Sequence, residues 1–316
     1  MGERLERAAQ LTDAGTGDAG EDGGSTTAGV AAPAPRRRAG LAALLGPPVV
    51  WMLVVYIGSL LLLVAGAFFT IDPISNEPTT ELTVDNLRVA FTTRQFVEVV
   101  LKSVGVAVAV TVLCILIALP MAFYIAKVAK PRYRRALVVS TLLPLWAGYL
   151  VKGYAWKAML RPASEFGVDS GGGFLASVFG FTPGFGWIAV ILALTYLWLP
   201  YMVLPIYAGL ERLPASLLDA SGDLGARPGR TFRSIIVPLL VPSIAAGAVF
   251  TFSLSLGDYI VPKIVTEGKI RLVGNLIEST LLAPNQPLAA AFTLWPLAII
   301  VVYLITMQRL GAFESL

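Results

Sequence analysis

The sequence has no histidine, which excludes a Ser-His-Asp triad, the usual Cys-His pairs and every histidine metal site together. Its single cysteine, Cys114, stands in an apolar run, so no disulfide can form within the chain and no cysteine zinc site is possible. No G-x-x-x-x-G-K-S/T run occurs, so the chain carries no P-loop, and ATP-driven work would need a partner. Charge is also scarce. Only 14% of the 316 residues are Asp, Glu, Lys or Arg, against about 25% in soluble domains. Hydrophobic residues make up 56%. The deficit of charge and several apolar runs near membrane-spanning length place the chain in the membrane class. The net charge of +4 then reads as topology charge, and no nucleic-acid partner is expected.

Residues 1 to about 40 are rich in Gly, Ala, Thr and acids, and a disordered cytoplasmic tail is expected there. The letters Gly15 to Gly20 match G-x-G-x-x-G but follow no strand and open no amphipathic helix, so they carry no nucleotide-binding meaning. Arg36 to Arg38 precede the first apolar run, which is too long for a signal-peptide core. An uncleaved first span with its N-terminus inside is expected.

Six spans are expected, at roughly 45–70, 100–127, 136–160, 186–210, 236–259 and 287–308. They must be helical, because lipid leaves no backbone group a partner outside its own segment. Inner prolines, among them Pro120, Pro144, Pro200, Pro205, Pro242 and Pro296, predict kinks. Lys127 to Arg135 hold five basic residues and no acid, which places that loop inside. Residues 72–99 hold Asp72, Glu77, Glu81, Asp85 and Glu98 against Arg88 and Arg94, which places them outside. Alternation then puts 211–235 and both termini in the cytoplasm. Lys152, Lys157 and Arg161 run against this rule, so they either snorkel or line a wet path.

The segment Asp219 to Pro238 is out of place between two apolar runs, with two carboxylates, three arginines and three glycines. It reads as two short helices. Pro214 suits the first turn of one, Gly225 its C-terminal cap, and Pro228 the start of the next. Leu217, Ala220, Ser221 and Leu224 share a face at i, i+3, i+4, i+7 spacing, with Leu218 adjoining. Asp219 and Asp223 repel at i, i+4, and Gly222 costs about 1 kcal/mol relative to alanine. A surface that docks on a cationic partner accounts for both. An idle interfacial loop is the alternative.

These residues resemble the cytoplasmic signature of binding-protein-dependent ABC importer permeases, E-A-A-x3-G-x9-I-x-L-P. Here it reads Asp219-Ala220-Ser221, Gly225, Ile235, Val237 and Pro238 at the same spacings. Four further segments resemble the spermidine/putrescine-type branch: Leu142 to Leu160, Leu199 to Ala220, Ser253 to Val265 and Val273 to Thr280. The resemblance spans about residues 45–308.

It implies an all-α membrane protein of six transmembrane helices with the type I ABC importer permease (MetI-like) fold and a cytoplasmic coupling helix. Residues 41–97 would hold the first helix and an external segment, 98–309 a five-helix core, and 214–238 the coupling loop. The implied role is a transport subunit, not an enzyme, in a bacterial cytoplasmic membrane, moving a polyamine or related organic solute. The implied partners are an ATPase dimer that binds ATP and Mg, a second permease (homologous or identical), an extracytoplasmic solute-binding protein and membrane lipid. No cofactor or metal is expected in this chain. An importer for an amino-acid-like or organophosphonate solute, and an ion-driven secondary carrier, stay open as alternatives.

For the solute path, Asp258 is the one carboxylate expected near a span mouth, with Tyr259 beside it. It could attract a cation, or cap the next turn, or pair with Lys263. Trp146, Tyr149, Tyr154 and Trp156 cluster on the third span, where aromatic faces could hold an ammonium. Interface-belt or packing roles are the alternative for them. Lys152 and Lys157 in the same stretch oppose a polycation.

Overall fold

The computed structural model describes residues 36–72, 77–161, 173–180, 182–283 and 285–309. The tail as far as residue 35 and most of the loop after the third span lie outside the described residues. Two compact units divide the chain, one up to Tyr56 and one from Ile57 to Leu316.

Helix α1, Arg36–Gly66, contains the apolar stretch Leu44–Gly66. At 1.5 Å per residue its 23 residues reach about 35 Å, enough to cross the hydrocarbon. A β-hairpin follows, Phe69–Ile71 (β1) against Pro78–Leu82 (β2), antiparallel with Thr70 opposite Thr79. The Thr70 and Thr79 hydroxyls lie 2.6 Å apart. Asn86 on α2, Asp85–Thr92, ties the hairpin down by donating to the carbonyls of Ala67 and Phe69. Sequence reading expects only an acidic external segment here. The strands are too short for a period-2 signal to stand out.

The second span is α3, Arg94–Phe123, which widens into a π-helical turn at Tyr124–Val128. The third is broken. α4, Pro131–Trp146, and α5, Tyr149–Leu160, meet at a 93° bend. Ala147 and Gly148 are both extended there (ψ 137° and 140°). The single span expected at 136–160 is therefore two helices. The break falls at the Ala-Gly pair that starts three residues after Pro144.

After α6, Phe174–Phe179, comes α7, Trp187–Arg212, then α8, Ala215–Asp223. α9, Pro228–Thr231, runs through a second π turn, Phe232–Ile236, into α10, Val237–Leu256. Pro238 gives that π turn its reason, since its ring cannot sit against a carbonyl four residues back. α11, Ile260–Val265, α12, Val273–Leu282, and α13, Gln286–Arg309, complete the chain. Among the described residues five helices are long and apolar enough to cross a membrane. Counted as one broken span, the bent pair would bring the number to six.

The core lies where α3, α7 and α10 pack on one another. The buried face of α3 steps by four residues through Val106, Val110, Cys114, Ala118 and Ala122, and meets Ala189, Ala193 and Leu197 of α7. Lipid tails are as apolar as these side chains, so close van der Waals packing of small residues holds such helices together. Cys114 is buried in this seam and its thiol donates to the Thr195 carbonyl at 3.6 Å. On the opposite face of α3, Val108, Val112 and Leu116 are exposed. The tightest crossing is between α7 and α10. A Cβ on Gly247 would stand 2.7 Å from Met202 Sδ and 3.1 Å from Pro205 Cγ.

Candidate functional site

Two regions gather the residues singled out from sequence. One is the α7–α10 connection. Leu213 leads out of α7, Pro214 stands just ahead of α8, and Pro228 opens α9. Gly225 has φ +74°. The Ala226 amide donates to the Ser221 carbonyl at 3.0 Å and the Gly225 amide to the Gly222 carbonyl at 2.8 Å. That pair of bonds is a complete Schellman closure, which glycine adopts without strain.

Leu217, Asp219, Ala220, Asp223 and Leu224 are exposed, Leu224 at 88%. Ser221 does not share that face. It is 6% exposed, its hydroxyl lies 2.9 Å from that of Thr231, and it also donates to the Leu218 carbonyl. Leu218 packs inward against the core. Ser221 and Leu218 thus anchor the helix while its outer face stays open. The polarity of serine gave no hint of this, because its partner Thr231 is ten residues away in sequence.

The anchor extends into the second span. Lys127 Nζ donates to the Leu213 carbonyl at 3.0 Å. A cation placed on the last carbonyls of a helix satisfies an orphan acceptor and complements the helix dipole. Beside it Phe123 meets Phe232 edge-on, with centroids 5.6 Å apart. The ends of α3 and of the α9–α10 rod are thereby joined close to α8.

The second region surrounds Asp258, which links α10 to α11. Asp258 is 6% exposed. Its Oδ1 accepts the Ile260 and Val261 amides at 3.0 and 3.1 Å, and its Oδ2 accepts the Tyr149 hydroxyl. It caps α11 and ties that helix to α5. Lys263 pairs instead with Glu278 at 2.5 Å. The Asn275 side-chain amide donates to the Tyr259 carbonyl at 2.7 Å, and Ser103 accepts the Val273 amide at 2.7 Å, so α12 is fixed to the same frame.

Beside this frame lies a cavity of about 580 Å³ between α5, α11 and α12. Tyr154, Lys157, Tyr259, Lys263, Glu267 and Glu278 all line it. Lys157 pairs with Glu267 at 2.7 Å. That bond and the lysine charge hold the Glu267 carboxyl below its ordinary range. Glu267 has φ +55°, the one positive φ outside glycine among the described residues. Such a conformation costs about 1–2 kcal/mol and marks backbone held by its surroundings.

The expectation that Asp258 is the sole carboxylate at a mouth is therefore corrected: Glu267 and Glu278 line the cavity, whereas Asp258 is spent on the frame. Their positions in a long polar loop hid them, since only the folding back of α11 and α12 brings them to α5.

The six aromatic and acidic residues expected on one path separate. Tyr154 and Tyr259 line the cavity. Tyr149 stacks on Trp198 at 5.9 Å and holds Asp258. Trp156 packs against Tyr196 at 5.7 Å. Trp146 stands apart at the break, 88% exposed. Lys152 is buried. It is 8% exposed, with its ammonium 6.0 Å from the Tyr149 ring centroid.

Comparison with known proteins agrees with this architecture. The family model for binding-protein-dependent transport system inner membrane components matches residues 43–311. The chain is 42% identical over 288 residues to the inner membrane ABC transporter permease protein YdcU of Escherichia coli (strain K12), covering 88% of this chain and 91% of that one. It is 32% identical over 248 residues to the spermidine/putrescine transport system permease protein PotB of Haemophilus influenzae, covering 77% and 84%. Among solved structures, a chain of a bacterial alginate ABC transporter in complex with an alginate pentasaccharide-bound periplasmic protein superposes with a TM-score of 0.68 at 15% identity, over 88% of this chain and 96% of that one. This last likeness is one of fold.

Proposed function

The chain belongs to the family of binding-protein-dependent transport system inner membrane components and is a permease subunit of an ABC importer, and on that premise we propose that α8 is the handle through which a separate ATPase drives it. The open face of α8 carries the proposal. Leu217, Ala220 and Leu224 face outward with Asp219 and Asp223, while Ser221, Leu218 and the closure on Gly225 hold the helix in place. A short, anchored, apolar face flanked by carboxylates suits a groove with basic rims. Pro228 then sets the start of the rod that leads to the far side.

In this reading an ATPase dimer, which binds ATP and Mg, closes on α8 of two permease subunits. The second subunit is a homologue or another copy. The closure opens a path to an external binding protein, and hydrolysis resets it. Both termini and the α8 connection lie on the cytoplasmic side.

The solute we assign is a polyamine. The relatives named for spermidine and putrescine support it, as do two carboxylates and two tyrosines around one cavity. An incoming diammonium would compete with Lys157 and Lys263 for Glu267 and Glu278, and its methylenes would lie against Tyr154 and Tyr259. Asp258 and Tyr149 serve this site by fixing α11.

The docking assignment is tested by co-purification. Ala220→Arg or Leu217→Glu is expected to release the ATPase while the permease still inserts. Retention of the ATPase with intact transport would refute it. The solute assignment is tested separately in proteoliposomes bearing the full complex and its binding protein. Labelled spermidine or putrescine should enter with ATP. ATP-dependent entry of an amino-acid-like or phosphonate solute alone would replace the polyamine and leave the coupling reading intact.

A further inference from the structure

The uncharged run from residue 103 to residue 126 spans about 36 Å as a helix, close to the hydrocarbon thickness. It ends where the basic segment from Lys127 begins. The chain then turns at Pro131 and re-enters an apolar run as α4. In the angle of this turn lies a cavity of about 500 Å³, lined by Lys130, Arg132, Tyr124 and Tyr133 and by apolar Val128 and Leu137. It is separate from both regions described above.

Its chemistry is one-sided. No Asp or Glu occurs between Glu98 and Glu165. Among the described residues neither Lys130 nor Arg132 has a carboxylate partner. Arg132 lies over the Tyr133 ring, 4.5 Å from its centroid, which fixes the guanidinium at the rim. The apolar wall continues one turn further along α4 into exposed Val139 and Leu143. Cations and phenol hydroxyls at the mouth, with an apolar strip running into the membrane from the same cavity, match an amphiphile with an anionic head.

We propose that this cavity binds one anionic phospholipid, its phosphate held by Lys130 and Arg132 with Tyr124 and Tyr133 as hydroxyl donors, and one acyl chain along Ala136 and Leu143. A guanidinium fork takes a phosphodiester bidentately, and the ammonium adds a point charge. Basic pockets between spans at a membrane boundary are suited to such headgroups. The inference needs only that the chain crosses the membrane, and stands apart from the coupling and solute readings. Occupancy would brace the turn that carries Lys127, and through it Leu213.

The test uses the full chain in its assembled complex, purified in detergent and titrated with dioleoyl-phosphatidylglycerol, dioleoyl-phosphatidylcholine or sn-glycerol 3-phosphate. Native mass spectrometry counts bound lipid, and the thermal midpoint is followed alongside. Phosphatidylglycerol should bind in preference and raise the midpoint. The double variant Lys130→Gln, Arg132→Gln should weaken it roughly ten- to thirty-fold. Ala136→Trp, which fills the cavity without changing charge, should weaken it comparably, and Arg309→Gln should not. Equal retention of the two lipids, retention by both cavity variants, or displacement by glycerol phosphate at equal concentration would overturn the proposal. The last result would make this a free-anion site.

Discussion

The Tyr149 hydroxyl donates to the Asp258 carboxylate across 109 residues of chain, and this bond joins the second half of the broken third span to the turn that ends the fifth. Both partners are held by other contacts, Tyr149 by Trp198 and Asp258 by the α11 amides.

Removing the carboxylate should therefore unfold more than one turn. Asp258→Ala loses a helix cap and leaves buried donors unsatisfied, a loss of roughly 2–4 kcal/mol. Asp258→Asn keeps an oxygen for the Ile260 and Val261 amides but turns an NH2 toward Tyr149, whose hydroxyl must then accept instead of donate, so it should lose less than Asp258→Ala. Thermal unfolding of the purified chain, followed by tryptophan fluorescence, measures both. Equal loss in the two variants would show that charge rather than hydrogen bonding is what the site needs.

Gly225→Ala should strain the α8 closure by about 1 kcal/mol, because φ +74° is unfavourable with a Cβ. Nothing lies within 4 Å of the added methyl, so the effect is purely conformational. Hydrogen exchange at the Gly225 and Ala226 amides should rise about fivefold, with the spans unchanged. Protection equal to the parent chain would contradict the closure.

Lys127→Met should free the Leu213 carbonyl and loosen the start of α8 without touching its outer face. Exchange at residues 213–217 is expected to rise, by an amount corresponding to about 1 kcal/mol for the lost cap. Lys127→Arg should restore most of it. An unchanged pattern in Lys127→Met would mean that the second span does not support α8.

The Glu267 carboxyl is held low by Lys157, so its folded pKa lies below its unfolded one. Its contribution is present above the unfolded value and disappears as pH falls through the folded one. Carboxyl NMR titration in detergent should show Glu267 titrating below free glutamate, and Lys157→Met should move it back up. Glu267 at the ordinary value in the parent chain would rule out the pair.

Gly247→Val should lower stability by about 1–3 kcal/mol, since the added atoms meet Met202 and Pro205 at the α7–α10 crossing. A second change, Met202→Ala, should recover part of the loss. Without recovery the clash would lie elsewhere.

Much of this was legible from apolar run length alone, because a span must be long, apolar and helical. Gly225 and Pro228 announced the α8 connection, since a positive φ is free of strain only for glycine and the fixed φ of proline suits the first turn of a helix. The bend at Ala147–Gly148 was not legible: hydropathy stays high through it, and an extended pair interrupts no apolar pattern. Nor was the inward turn of Ser221, because its partner Thr231 comes from the next helix. Glu267 and Glu278 reach the Tyr154 cavity only through the fold of α11 and α12, and no local pattern reports such a return.

From Pro228 to Leu256 the backbone is one 29-residue helical piece, π turn included, about 43 Å from end to end. One end emerges from the α8 connection, and the other stops two residues short of Asp258. In a rod of that length a tilt of about 5° about one end displaces the other by nearly 4 Å, as follows from the helix rise. That is comparable with a hydrogen-bond length, so a few degrees of swing suffices to make or break the contacts around Asp258 without any helix unwinding.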